Sequence, residues 1–371
     1  MNFDFSDDQK FLKNEARKFL EGRCPTSKVR AVLDDPSRSY DADLWKEVAA
    51  QGWLGTTIPE ANGGLGLGHL ELCVIAEELG RALAPIPFAS TVYFFVEALL
   101  MAGSDAQKAA WLPKIAAGEA IGAFASVERP GPLTEAQVQA RVDGGKLTGT
   151  KLPVTDGDIA DVAVVLAREG GQLSLFLVDL AGAGVARETL QTLDPTRGAA
   201  KLTFSGAAAE RLGEAGEGLA LAEALLERAA VLLAFEQVGG ADRALEMAKE
   251  YALGRYAFGR PIGSYQAIKH KLADMYVKIE LARSNAYYGA WALETGASEL
   301  PLAAASARVS ACDAYWNAAK ENLQTHGGIG FTWQMDCHLF YRRAQQLGLV
   351  AGAAKAWKER LVQQLERRNA A

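Results

Sequence analysis

The hydrophobic period of this chain changes twice. Apolar residues recur at helical spacing up to about residue 119, alternate at strand spacing from about 120 to 206, and return to helical spacing after Gly218. A helical stripe and a half-buried strand cannot stand in for one another, so the order helix, strand, helix restricts the chain to a multidomain α+β fold. We expect an N-terminal all-helical domain over residues 1–119, a small antiparallel β domain over 120–210 and a helical bundle over 211–371.

Local signals fill in each part. Ser6 before Asp7 and Asp8 reads as a helix N-cap with an acidic first turn, and Phe11, Leu12, Ala16, Phe19 and Leu20 form the apolar stripe behind it. A glycine-rich connector at 62–68 precedes a second helical run at 70–83, closed by Pro85 and Pro87. In the middle, residues 140–142 and 146–150 flank Asp143-Gly144-Gly145, and 162–167 and 173–178 flank Gly170-Gly171; both read as hairpins, with 201–204 as a further strand. Beyond Gly218, Ile268, Leu272, Met275, Ile279, Ala282 and Ala286 step as the seam of a long helix, and Ala303, Ala304, Ala307 and Ala311 offer a face that a neighbouring helix can approach closely.

The formal charge of −6 over 371 residues argues against a surface for polyanions, so nucleic acid is not an expected partner. Cys24, Cys73, Cys312 and Cys337 form no C-x-x-C pair, and His326 and His338 have no third ligand at metal spacing. We therefore expect reduced thiols, no metal, and histidines that pack or face solvent. The first twenty residues lack a basic segment followed by an apolar run, and no apolar run reaches the ~18 residues of a membrane span. The expectation is a cytoplasmic protein without a membrane segment.

Two stretches in the last third carry chemistry. RYAFGRP, from Arg255 to Pro261, places a guanidinium and an aromatic face on one turn at the end of a long helix, a pairing suited to a diphosphate and a planar ring. QTHGGIG, from Gln324 to Gly330, removes Cβ atoms where a backbone meets a cofactor or simply ends a helix. These two stretches, with Gly239-Gly240-Ala241-Asp242-Arg243 before them and Gln266-Ala267-Ile268 between, resemble the acyl-CoA dehydrogenase family over nearly the whole chain.

The resemblance implies an N-terminal helical domain, a central small antiparallel β domain and a C-terminal four-helix bundle. It implies FAD, with Arg255, Phe258 and Gln266 on its diphosphate and adenosine half and Gln324, Gly327 and Gly328 in a second contacting segment. Val127-Glu128-Arg129-Pro130-Gly131 with Thr134, and KLPVTDG with Thr155, resemble the strips beside the flavin ring, although Glu128 stands for a threonine and Pro153 for a tryptophan. Glu227 and Arg228 fall on the segment that contacts CoA, where the family's arginine is Ala230. An ungapped count from Gly327 puts Ala351, followed by Gly352, where the family most often keeps its carboxylate base; the backbone N–H of residue 351 remains a donor for the thioester oxygen. The second family position for the base is Ala229.

With both positions lacking a carboxylate, Glu236, on the same helix within an apolar run, is the candidate base, and its other reading is a buried carboxylate paired with a nearby arginine. The resemblance further implies an acyl-CoA substrate, an acceptor like an electron-transfer flavoprotein, and either a homodimer or homotetramer or a heterotetramer with a sister subunit. Bacterial members that oxidise bulky thioesters such as steroid side chains pair a competent subunit with a deficient one, and Ala351 suits the deficient partner. The alternatives are a flavin-dependent monooxygenase or oxidase on the same scaffold, or a subunit that binds FAD without turnover.

Overall fold

A computed structural model describes residues 5–370. Helices α1 (Asp7–Arg23), α2 (Thr26–Leu33), α3 (Ala42–Ala50), α4 (His69–Ala82), α5 (Glu97–Ala102) and α6 (Asp105–Ala116) come first, with a π-helical stretch, Ala89–Val96, leading into α5. Strands β1 (Gly122–Ala125), β2 (Arg141–Asp143), β3 (Lys146–Thr155), β4 (Val162–Glu169), β5 (Gln172–Asp179), β6 (Val185–Thr189), β7 (Ala199–Ala208) and β8 (Glu210–Leu212) follow. The chain then runs through α7 (Gly218–Gly254), a ribbon of β9 (Tyr256–Ala257) and β10 (Arg260–Pro261), α8 (Gln266–Thr295), α9 (Leu300–His326), α10 (Cys337–Leu347) and α11 (Ala354–Ala370). These elements form two compact units: one takes residues 5–29, 69–84 and 230–370, the other 30–68 and 85–229.

In the sheet unit the strand order is β6-β7-β3-β2-β4-β5-β8, with β1 also beside β4. The β2–β3 hairpin turns through Gly144 at φ +54° and Gly145 at φ +72°, the two positive values a two-residue turn of this hand requires. Residues 162–167 of β4 are all buried, as expected for an uninterrupted apolar run in a central strand. The antiparallel expectation holds for most pairs, but β1 and β2 both run parallel to β4. Those pairs join segments distant in sequence, so no turn signals them.

The helical unit starts from a reciprocal cap. The Gln9 amide donates to Ser6 Oγ at 3.2 Å while the Ser6 amide donates to the Gln9 side chain at 2.9 Å, which satisfies two open donors of α1. Buried Glu77 and Glu78 on α4 meet Lys13 and Arg17 of α1 at 2.7 and 2.8 Å, and Arg283 of α8 bridges Glu77 to Asp242 of α7. Helices α4 and α7 cross almost backbone to backbone: a Cβ on Gly239 would lie 1.8 Å from the Glu77 carbonyl oxygen, and one on Gly80 1.9 Å from that of Glu236. The adjacent Gly240 faces α9, where a Cβ would come within 2.5 Å of the Tyr315 ring. Met275, Ile279, Ala282 and Ala286 bury the α8 seam, and Ala303, Ala304, Ala307 and Ala311 are fully buried on α9. Helix α9 packs against α8, α10 and α11.

Candidate functional site

The site residues of the helical unit fall into two places. At the first, α7 ends and the ribbon turns at Phe258, which adopts a left-handed φ of +52° and leaves its ring 97% exposed. That conformation costs a non-glycine residue roughly 1–2 kcal/mol, so the surrounding turn must impose it. The Ile262 amide donates to the Arg255 carbonyl at 2.8 Å, the Tyr265 hydroxyl to the Ala257 carbonyl at 2.9 Å, and Arg260 stacks on Tyr265 at 4.1 Å. Arg255 is exposed, and no described carboxylate pairs with it. Gln266 opens α8, where Tyr265 gives no side-chain cap and its carbonyl takes the Ile268 amide at 3.1 Å, so the Gln266 and Ala267 amides have no acceptor among the described residues.

Across from this turn lies the end of α9. Tyr251 stacks on His326 at 4.2 Å and Lys271 pairs with Glu321 at 2.9 Å, which sets the Arg255 and Gln324 segments side by side. Gln324 is exposed, and a Cβ on Gly327 or Gly328 would meet nothing within 4 Å. A free guanidinium, an outward aromatic face, an open helix N-terminus and a Cβ-free strip fit a dinucleotide such as FAD. The two histidines pack as read from the sequence: His326 also holds the Asn322 carbonyl through Nδ1 at 2.9 Å, and His338 stacks on Trp333 at 4.6 Å.

The second place is the turn between α10 and α11. Ala351 is left-handed at φ +61°, and its carbonyl accepts from Trp357 Nε1 at 2.9 Å. The carbonyls of Leu347 and Val350, just before it, both accept from Arg308 Nη2 of α9. Arg308 and Trp357 were missed in the sequence; the only signal was an arginine within the small-residue face of α9.

Glu236 is fully buried, and its Oε1 lies 3.8 Å from Nη1 of Arg343 on α10, itself buried and donating through Nη2 to the Leu83 carbonyl at 3.3 Å. This geometry matches the paired-carboxylate reading. A base needs a path to substrate, and Glu236 has no accessible surface.

In the sheet unit the unexpected Glu128 is turned onto β3. It accepts from the Gln139 and Ala140 amides at 2.8 and 2.9 Å and from Lys151 Nζ at 2.8 Å. Lys151 is fully buried; burial drives its ammonium down to about 8, against the pull of Glu128. Burial raises the Glu128 carboxyl, but Lys151 and the Ala140 and Gln139 amides outweigh it and hold the group below its ordinary value. The carboxylate thus arrives with its own cation. Val127 accepts from the Leu152 amide at 3.0 Å, Thr155 closes β3 half-buried, and Thr134 is exposed. Arg228 Nε binds the fully buried Glu97 at 2.8 Å, Glu227 beside it is half-buried, and Ala229 and Ala230 are fully buried.

Comparison with known proteins bears on the family and the fold. The acyl-CoA dehydrogenase N-terminal domain matches residues 6–119 and the acyl-CoA dehydrogenase C-terminal domain residues 216–365. The chain is 34% identical to acyl-CoA dehydrogenase IpdE2 of Mycobacterium tuberculosis, covering 91% of each chain. Among solved structures it resembles a variant of the Tcur3481–Tcur3483 steroid ACAD at TM-score 0.89 and 31% identity, covering 98% of this chain and 99% of that one. It also resembles the ChsE4–ChsE5 complex from Mycobacterium tuberculosis at TM-score 0.89 and 28% identity, covering 99% of each.

Proposed function

Because the chain belongs to the acyl-CoA dehydrogenase family, we propose that it is the base-lacking, FAD-binding subunit of an acyl-CoA dehydrogenase for a bulky thioester, completed by a sister subunit that supplies the proton acceptor. Membership makes it an FAD-dependent oxidoreductase acting on a CH–CH bond of an acyl-CoA. The observation that carries the finer reading is the side chain at 351: a methyl group stands where the family most often holds its carboxylate. Ala229 leaves the second position equally bare, and the burial and pairing of Glu236 favour a structural role for it. Loss of a general base slows proton transfer by about 10²- to 10⁴-fold, so a chain of this kind turns over at full rate only with a borrowed acceptor.

The remaining roles belong to the same proposal. Arg255 and the open N-terminus of α8 at Gln266 would hold the diphosphate of FAD, Phe258 would stack on a planar ring, and Gln324, Gly327 and Gly328 would lie along the cofactor. Val127, Thr134 and Thr155 would border the flavin ring. Bound FAD supplies a two-electron acceptor for the β-hydrogen. The Ala351 N–H would donate to the thioester oxygen and so acidify the α-carbon, with Gly352 leaving room beside it. Glu227 and Arg228 would border the CoA chain, Arg228 being fixed by Glu97. Leu253, Tyr256, Tyr276, Val277, Leu281 and Phe331 of the helical unit are more than half exposed, an apolar surface that suits burial against a second subunit. The likeness to the Tcur3481–Tcur3483 and ChsE4–ChsE5 proteins supports a sister subunit as that partner and a bulky acyl group as the substrate. Electrons would leave to an acceptor like an electron-transfer flavoprotein.

Anaerobic mixing of the FAD-loaded chain with linear and bulky acyl-CoA thioesters tests this. Bleaching of the flavin is expected to be slow for the chain alone and about 10²-fold faster for Ala351→Glu or after addition of the sister subunit. Bleaching by the unaltered chain alone at the faster rate would remove the base-lacking reading.

A further inference from the structure

Arg308 is a fully buried guanidinium whose acceptors are all neutral: Gln237 Oε1 at 2.6 Å, and the carbonyls of Leu347 and Val350. A cation taken out of water needs compensation, and here peptide dipoles provide it. Leu347 is the last residue of α10, so Arg308 sits at the negative end of that helix and satisfies an acceptor the helix end leaves open. Gln237 is fully buried, hydrogen-bonded to Cys312, and fixes the guanidinium from α7.

The Val350 carbonyl and the Ala351 N–H belong to one peptide group, which is planar and places oxygen and hydrogen on opposite sides. Gripping the oxygen therefore sets the direction of the N–H. The next carbonyl, that of Ala351, is held by Trp357, so the turn is pinned on both sides of the left-handed residue. The Ala351 N–H itself donates to no protein acceptor among the described residues. A cationic donor on the carbonyl also polarises the amide, and hydrogen bonds in such a chain strengthen one another.

We infer that Arg308 is the positioning residue for the thioester contact: it holds the Val350–Ala351 peptide by its oxygen, aims the N–H into the site and strengthens it as a donor. The inference rests on the reading of Ala351 N–H as the thioester-oxygen donor. It assigns to a buried side chain on α9 a part of substrate recognition that no side chain at 351 can take.

The test compares two ligands on the FAD-loaded protein by isothermal titration: an acyl-CoA thioester and its thioether analogue, in which the carbonyl oxygen is replaced by hydrogen. The unaltered protein is expected to prefer the thioester by roughly tenfold, the value of one good hydrogen bond. Arg308→Met should bring the ratio near one with thioether affinity little changed, and Arg308→Lys, which keeps a cation but fewer donors, should lower it partway. If Arg308→Met does not fold, the Lys variant decides alone, an unchanged ratio refuting the role. Equal losses for both ligands in Arg308→Met would reduce Arg308 to a structural residue and overturn the inference. Unaltered protein that prefers the thioester while Arg308→Met prefers it equally sinks only the role of Arg308. Unaltered protein that binds neither ligand overturns the acyl-CoA reading together with it.

Discussion

Replacing Glu128 by glutamine isolates the buried ion pair of the sheet unit. Lys151 has no exposed surface and its ammonium already sits at about 8 with Glu128 present. Without that carboxylate it falls further, but once it passes below the pH of the experiment the lysine sheds its proton and the cost stops growing. At pH 7 the limit is one unit below 8, on the order of 1 kcal/mol. The Gln139 and Ala140 amides also lose a charged acceptor for a neutral one, which adds about 1 kcal/mol in total. The variant is thus expected to be about 2 kcal/mol less stable at pH 7.

The pH dependence follows from the same pair. A lysine whose folded value lies below its unfolded value of about 10.4 makes the folded state more stable as pH rises across that window. In the unaltered protein the rise begins near 8; in Glu128→Gln it begins at lower pH, so between pH 7 and 9 the variant recovers on the order of 1 kcal/mol and its deficit shrinks to about 1 kcal/mol. Equilibrium urea denaturation at the two pH values measures both figures. A deficit that is the same at pH 7 and pH 9, or below about 0.5 kcal/mol at pH 7, would refute the account of Lys151 as a burial-strained cation held by Glu128.

Three further substitutions probe other links. Gly239→Ala should cost more than about 3 kcal/mol or prevent folding, because its methyl would collide with the backbone of α4 and no side chain can move aside; a thermal melt within a few degrees of the original would contradict that crossing. Phe258→Ala should leave thermal stability within about 0.5 kcal/mol while speeding loss of FAD on gel filtration, and retention equal to the parent would remove Phe258 from the cofactor site. Glu236→Gln should lower stability by about 3 kcal/mol by stranding Arg343, yet leave the rate of flavin bleaching per folded molecule in the reconstituted complex unchanged. A large drop in that rate would restore Glu236 as the base.

Local demands were legible in the sequence. Gly144 and Gly145 must turn with positive φ, Ser6 must cap the helix that begins at Asp7, and the α8 seam has a period that only a helix satisfies. Features that depend on distant partners were not. The parallel pairing of β1 with β4 leaves no mark in either strand, and Ala89–Val96 is so uniformly buried that it has no polar face from which to read a period. In the proposed site, spacing from Gly327 pointed to Ala351, and the apolar setting of Glu236 called for a nearby cation. That the cation is Arg343, that Glu128 would find Lys151, and that Arg308 would hold the peptide before Ala351 are matters of three-dimensional neighbourhood.

The near-contact of α4 with α7 also governs the order in which this protein can be finished. Gly80 and Glu236 are 156 positions apart (236 minus 80), which at ribosomal speeds of ~5–20 residues per second means about 8–30 s between their emergence. Throughout that interval α1 and α4 stand without the helix that covers them, and the other unit is itself complete only when residue 229 emerges, just before Glu236. A nascent or truncated product ending before α7 displays the glycine face of α4, the surface that chaperones must shield and that fragment expression should not leave bare.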